Sequence, residues 1–282
     1  MRQTLLIGYG HMGQNHYRVL KKLEKKYNLQ LFVCEPDHDK MKGFDYYFPE
    51  YNHALQSKKW DYVIITTPTE THAEIIKAAI NSKAKNILVE KPIVDNLNNI
   101  EISGLTGKRI MVGHIERFNP IIREIKKKIK GKEIDTIICT RSGLKKKEDD
   151  YNVDIDLCIH DVDVCHYLTD KGITKISGSV RNNSSNILLK ARSHEYSTGE
   201  EDVDIFLHAD NKSPFKRRMI QIIGDDLFIE GDYMNQKLSV NGKEVNIKHQ
   251  EPLLVELKYF LEGKYTEEDL VYAIDNIRIL RR

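Results

Sequence analysis

The chain lacks any apolar run long enough to cross a bilayer, for which about 20 residues are needed. No membrane partner is therefore expected. It also lacks an excess of either charge. Its 44 basic residues meet 42 acidic ones, a net +2, so no global field points to nucleic acid or to a membrane surface. Cysteine is scarce: Cys34, Cys139, Cys158 and Cys165 are scattered and form no C-x-x-C pair. They read as reduced core thiols of a cytoplasmic protein. The opening "MRQTLLIGYG" reaches glycine after a few apolar residues, unlike a secretory signal. No repeat or low-complexity linker occurs, so a domain boundary must show as a change of pattern.

Such a change is present. With 282 residues the chain can hold one large domain or two smaller ones. The first part alternates short apolar strands with helices: Leu5–Ile7, a helix His11 to Lys26, Leu29–Cys34, Tyr62–Thr66, a helix Thr71 to Ser82, then "NILVE" and "RIMVG". Thr71 and Glu74 have capping-box spacing. Ala73, Ile76, Ala79 and Ile80 give that helix an apolar face. Strands apolar on both faces predict a parallel sheet covered on both sides. After Phe118 comes a helix, Asn119 to Lys130, with Ile121, Ile122, Ile125 and Ile129 on one side. Beyond His166 the strands alternate, as in Val203, Ile205 and Leu207, or Ile220 and Ile222. An Asn-Gly turn falls at Asn241–Gly242. Two helices follow, near Pro252–Leu261 and Glu267–Leu280. The expected class is α/β. An N-terminal doubly wound Rossmann sheet spans 1–118, and a C-terminal α+β domain with an open, mostly antiparallel sheet spans 119–282.

"LLIGYGHMGQNH" places Gly8, Gly10 and Gly13 at G-x-G-x-x-G spacing between a strand and a helix. Gly8 permits the tight turn, Gly10 lets the backbone approach a pyrophosphate, and Gly13 lets the helix pack on the strand. Tyr9, His11 and Met12 complete the loop, and the helix N-terminus offers free N–H groups to phosphate. The second strand ends in Glu35, at the place of a ribose-binding acid about 20 residues past the loop. A carboxylate there favours NAD. Lys40 lies nearby and would favour NADP, so NADP stays open.

Ligands of such sheets sit beyond the carboxyl ends of the strands. Three motifs occupy those ends: "TTPTETH" with Thr66, Thr67, Pro68 and His72; "EKP" with Glu90, Lys91 and Pro92; and "GHIERFNP". Lys91 is expected to point at the nicotinamide end of the cofactor, with Pro92 stiffening its backbone, through a cis bond in one reading. A lysine partly withdrawn from water can exchange a proton with a hydroxyl.

The run "DIDLCIHDVDVCH" carries Asp156, His160 and Asp163. In an α-helix these fall within about 60° on one face, at about 100° per residue. Asp156 would then fix the His160 tautomer and raise its basicity. Asp and His also make metal sites, but zinc favours close His or Cys pairs and no second pair is evident, so no metal is expected.

With these residues in view, the whole chain resembles the glucose–fructose oxidoreductase / inositol dehydrogenase / MocA-like family. The resemblance rests on "GYGHMGQNH", "TPTETH", "VEKP", "GHIERFNP" and the D-x-x-x-H-x-x-D run. It implies NAD(P) and hydride transfer to or from a sugar or polyol carbon. It matches Lys91, Asp156 and His160 to catalytic positions, and Arg117 and Phe118 to an Arg-Phe pair near cofactor and substrate. Asn119 and Asp163 join them as substrate-binding candidates. "GHIERFNP", "DLCIHDVD" and Ser213–Gln236 look most like UDP-N-acetylglucosamine 3-dehydrogenases. Lys216, Arg217 and Arg218 could meet a diphosphate, or be an exposed strand end. Two departures stand out: Cys158 replaces a frequent glycine, which would narrow the pocket, and Glu35 replaces a frequent Asp.

The expectation is an NAD-dependent sugar dehydrogenase acting on a nucleotide sugar. Either Lys91 or His160 takes the hydroxyl proton. The alternatives are a dehydrogenase or reductase of a free sugar or cyclitol, a non-catalytic NAD-binding sensor, and a metal-dependent hydrolase. An apolar-faced sheet also points to a homo-oligomer.

Overall fold

The computed structural model of the chain describes residues 1–44, 46–105, 107–144, 153–181, 183–192 and 202–281. In chain order the elements are β1 (Arg2–Ile7), α1 (His11–Tyr27), β2 (Leu29–Cys34), α2 (Tyr51–Ser57), β3 (Tyr62–Ile65), α3 (His72–Asn81), β4 (Asn86–Glu90) and β5 (Ile110–Gly113). Then come α4 (Pro120–Lys128), β6 (Thr136–Leu144), α5 (Ile159–Thr169), β7 (Gly172–Arg181), β8 (Ser184–Arg192) and β9 (Val203–Ser213). The last are β10 (Arg217–Gly224), β11 (Leu227–Asp232), β12 (Lys237–Val240), β13 (Lys243–Val245), α6 (Pro252–Leu261) and α7 (Glu267–Arg281).

These form two compact units. One contains Met1–His114 and Leu253–Ile274; the other contains Ile115–Pro252 and Asp275–Arg282. The pattern of the sequence suggested one crossing after Phe118. The units instead divide after His114, and α6 returns to the first unit.

In the first unit a five-stranded sheet has the order β2-β1-β3-β4-β5, with all pairs parallel. β3 and β5 are buried at every residue, which is why they read as unbroken apolar runs. The order turns back between β1 and β3, so the crevice of this sheet opens beyond Ile7 and Ile65. α3 corrects the sequence reading twice. Thr71 makes no side-chain cap; its hydroxyl donates to the Pro68 carbonyl and lies 2.8 Å from Thr67 Oγ1. The buried side of α3 is His72, Ile75, Ile76 and Ala79, while Ala73 and Ile80 sit at its margins.

The second unit holds an eight-stranded sheet, β13-β12-β11-β10-β6-β9-β8-β7, antiparallel except for β6 with β9. Val203, Ile205 and Leu207 on β9 are buried, as are Ile220 and Ile222 on β10. The opposite face leaves Phe206, Ile223 and Phe228 exposed. α4 lays Ile121 and Ile125 over Gly231, where a Cβ would come within 3.0 Å of Ile121 Cδ1. Asn241 and Gly242 both have positive φ, as a tight β12–β13 hairpin requires. Among the described residues no helix is long and apolar enough to cross a membrane. All four cysteines are free and buried.

Candidate functional site

The glycine loop is built by backbone geometry. Gly8 has φ +93°, and a Cβ there would meet the Thr66 and Thr67 backbone at 2.9 Å. A Cβ on Gly13 would fall 2.1 Å from the Gly8 carbonyl oxygen, so only glycine lets α1 lie this close to β1. Thr66 Oγ1 donates to the carbonyls of Ile7 and Gly8, tying the end of β3 to the loop. Gly10 differs from both. It caps α1, and a Cβ there would meet nothing within 4 Å. No side chain caps α1, and its first turn carries no acid. The N-terminus of α1 therefore presents N–H groups and a positive dipole end to open space, which fits a dinucleotide pyrophosphate.

Glu35 ends β2 and is buried. One carboxylate oxygen accepts the Tyr9 N–H at 2.7 Å, and the other accepts the Asp37 N–H at 3.2 Å. Lys40 lies 3.5 Å from Glu35 and 3.4 Å from Asp37. Glu35 thus orders the glycine loop itself, a role the sequence did not reveal. Each carboxylate oxygen has a second lone pair for a ribose hydroxyl. Burial, with Glu35 adjoining, pushes the Cys34 thiol up to about 12.

Around β4 the motif residues act on one another. The Lys91–Pro92 bond is cis, in line with one reading of Pro92. Lys91 is half-buried. Glu90 is turned inward, and its Oε1 lies 2.6 Å from Nε2 of the fully buried His16. Its Oε2 accepts the Lys91 backbone N–H at 3.3 Å. His72 is also buried, with Nδ1 2.9 Å from the Pro92 carbonyl and Nε2 2.9 Å from the Thr67 carbonyl. Both were expected to touch the cofactor. In the structure their polar atoms clamp the loops that follow β3 and β4.

In the second unit the expected helical face is altered. Asp154–Cys158 winds as a π-helix, and the Ile159 N–H reaches back to the Asp154 carbonyl. Asp156 lies within this π-turn and His160 follows it on α5, and both are half-buried. π-turns concentrate at functional sites. Cys158, which stands where a glycine is frequent, is fully buried.

The substrate-binding candidates are tied to partners within the second unit. Arg117 donates from Nε and Nη2 to Asp163 at 2.6 and 2.7 Å, and both residues are buried. Asn276 Nδ2 adds a third hydrogen bond to Asp163 at 3.1 Å, and His166 Nδ1 lies 2.8 Å from Asn276 Oδ1. Asn119 caps α4 through the Ile121 N–H and donates to the Tyr233 carbonyl. Phe118 is buried too. Beside them, Arg141, only 1% exposed, donates twice to Asp161 and once to Glu116. Arg218 also donates from Nη1 to Glu116 at 3.0 Å, with its side chain 41% exposed. Arg141 gave no sequence signal: one arginine in a strand reads as a surface residue until its two acids are seen.

Residues 2–109 match the model of the oxidoreductase family with an NAD-binding Rossmann fold, GFO_IDH_MocA. The scyllo-inositol 2-dehydrogenase (NAD(+)) of Bacillus subtilis is 34% identical over 141 residues, 45% of this chain and 41% of that protein. The chain thus spans less than half the length of this relative. Among solved structures, UDP-N-acetylglucosamine 3-dehydrogenase from Acidithiobacillus ferrooxidans superposes with TM-score 0.79 at 19% identity, covering 99% of this chain and 96% of the other. Levoglucosan dehydrogenase, in complex with NADH and levoglucosan, gives 0.80 at 15% identity, covering 99% and 96%. At these identities the likeness is one of fold.

Proposed function

We propose that this chain, whose residues 2–109 carry the NAD-binding Rossmann fold of the Gfo/Idh/MocA oxidoreductases, is an NAD(P)-dependent dehydrogenase of a sugar CH–OH group, on a nucleotide sugar. The observation that carries the dehydrogenase reading is the open α1 N-terminus at Gly10, followed along the same sheet by Lys91 at the end of β4. Bound nicotinamide would accept hydride from the sugar carbon and return it in the reverse direction. The chain's own residues do the rest. The N–H groups of α1 hold the pyrophosphate, and Glu35 keeps the loop ordered and takes a ribose hydroxyl. Lys91 stabilises the alkoxide that develops as the hydroxyl proton leaves. Lys91 or His160 receives that proton, with Asp156 supporting His160. Tyr9, His11, Met12, Thr66, Thr67 and Pro68 line the cofactor side.

The likeness to the Acidithiobacillus enzyme supports the nucleotide-sugar reading. A second reading, oxidation of a cyclitol or free sugar, is favoured by the scyllo-inositol dehydrogenase relative. Initial rates of NADH formation on UDP-sugars, free sugars and inositols separate the two. Turnover confined to free polyols would overturn the first. The exposed Phe206, Ile223 and Phe228 support a homo-oligomer joined through the outer face of the eight-stranded sheet. Light scattering at monomer mass would exclude it.

A further inference from the structure

Three ionisable side chains of the first unit meet in its interior: His16 from α1, Glu90 from the end of β4 and Glu256 from α6. One ligand-type atom of each lies within 4.8 Å of the others. His16 and Glu256 are 0% exposed and Glu90 is 8% exposed.

Placement of the third member follows from how α6 is tied down. The Tyr62 hydroxyl donates to the Leu261 carbonyl, and the Tyr265 hydroxyl donates to Asn86. Tyr62 and Asn86 begin β3 and β4, so the C-terminal end of α6 lies at the starting edge of the sheet. Stepping back five residues, about 7 Å along a helix, carries Glu256 toward the finishing edge, where Glu90 sits. An acid on the buried side of "PLLVELKYFL", between Leu253, Leu257 and Phe260, is otherwise out of place.

Two carboxylates held this close and away from water require a proton or cation among them. The 2.6 Å contact between His16 Nε2 and Glu90 Oε1 holds one such proton between nitrogen and oxygen. The other Glu90 oxygen accepts the Lys91 backbone N–H.

We infer that His16 and Glu256 are positioning residues, forming with Glu90 a buried proton-sharing triad that holds the Lys91 peptide in place. The consequence for turnover rests on the function proposed above, but the triad itself can be tested without it. Hydrogen exchange at the Lys91 amide reads the Glu90 hold directly. In His16→Leu that amide exchanges about tenfold faster, while the Leu88 and Val89 amides in the β4 ladder keep their protection. Glu256→Gln moves it the same way by about threefold. His16→Gln, which keeps a donor, restores most of the protection. On a substrate that the unmodified chain oxidises, His16→Leu lowers kcat with little change in the KM for NAD, and His16→Gln recovers it. Lys91 exchange that is unchanged in both His16→Leu and Glu256→Gln overturns the inference. So does an equimolar divalent metal in the purified protein, because the three would then be ligands. If the chain oxidises no sugar, the proposed function falls and the exchange measurement still decides the triad.

Discussion

Two glycines three residues apart should respond oppositely to the same added methyl group. At Gly13 a Cβ would sit 2.1 Å from the Gly8 oxygen and 2.9 Å from its carbon, where ordinary contact begins near 3.4 Å. Both neighbours are backbone, so α1 must lift from β1 by more than about 1 Å. Overpacking of this kind costs roughly 1–3 kcal/mol, and the absence of any yielding side chain puts Gly13→Ala at the top of that range. At Gly10 the methyl meets nothing within 4 Å, and φ −72° suits any residue. Gly10→Ala should cost only the poorer helix cap, roughly 0.5–1 kcal/mol. Its methyl would occupy the space a pyrophosphate needs. Losing one or two charge-assisted hydrogen bonds, about 3 kcal/mol, weakens NAD by roughly a hundredfold. Urea denaturation and calorimetric titration with NAD measure both quantities. Gly13→Ala should lose stability and binding together; Gly10→Ala should lose binding with only the small cost of the cap. A Gly10→Ala protein that binds NAD as tightly as the parent would refute the assignment of that space to the cofactor.

Four further outcomes are expected. Arg117→Met strands the buried Asp163 carboxylate and should cost about 3–5 kcal/mol in urea denaturation, recovered in part by adding Asp163→Asn; a loss under about 1 kcal/mol with a raised substrate KM would return Arg117 to the substrate. Burial holds the His166 pKa below its ordinary value, so the unfolded chain takes up that proton first. Stability from this group is complete above about pH 6.5 and falls as the pH drops toward the folded pKa, by up to about 1.4 kcal/mol per pH unit. His166→Gln should flatten that slope in urea midpoints measured from pH 7 downward. Glu35→Ala should weaken NAD more than NADP while loosening the loop; an unchanged ratio of their dissociation constants removes Glu35 from the ribose. Burial raises the thiols of Cys34 and Cys158, and a hydrogen bond with Cys165 together with burial raises that of Cys139, so iodoacetamide should leave all three unmodified in the native protein, and rapid labelling would contradict their burial.

Local signals carried much of this fold. The apolar runs of β1 to β5 and the glycine spacing need only their neighbours to be understood, and they reappear with bounds shifted by at most three residues. The Asn241–Gly242 hairpin was legible for the same reason. Partners distant in sequence were not legible. Arg117, Asp163 and Asn119 each suit a ligand when read singly; the fold instead joins Arg117 to Asp163 across 46 positions and seats Asn119 under Tyr233. Glu90 and His72 lie in motifs at the strand ends, yet their side chains turn inward to His16 and to two carbonyls. The π-turn at Asp154–Cys158 was not legible either, because apolar spacing in the sequence does not mark a local change of helical winding. The return of α6 to the first unit had no local mark except one acid on an apolar helix.

The most direct test of the central claim is a time course of NADH formation from NAD across UDP-sugars, free sugars and cyclitols, run with the parent chain and with Lys91→Met. The account predicts NADH from at least one nucleotide sugar with the parent, and none with Lys91→Met, which should still bind NAD with unchanged affinity. Full turnover by Lys91→Met, or tight NAD binding by a parent that oxidises nothing in the panel, would contradict it.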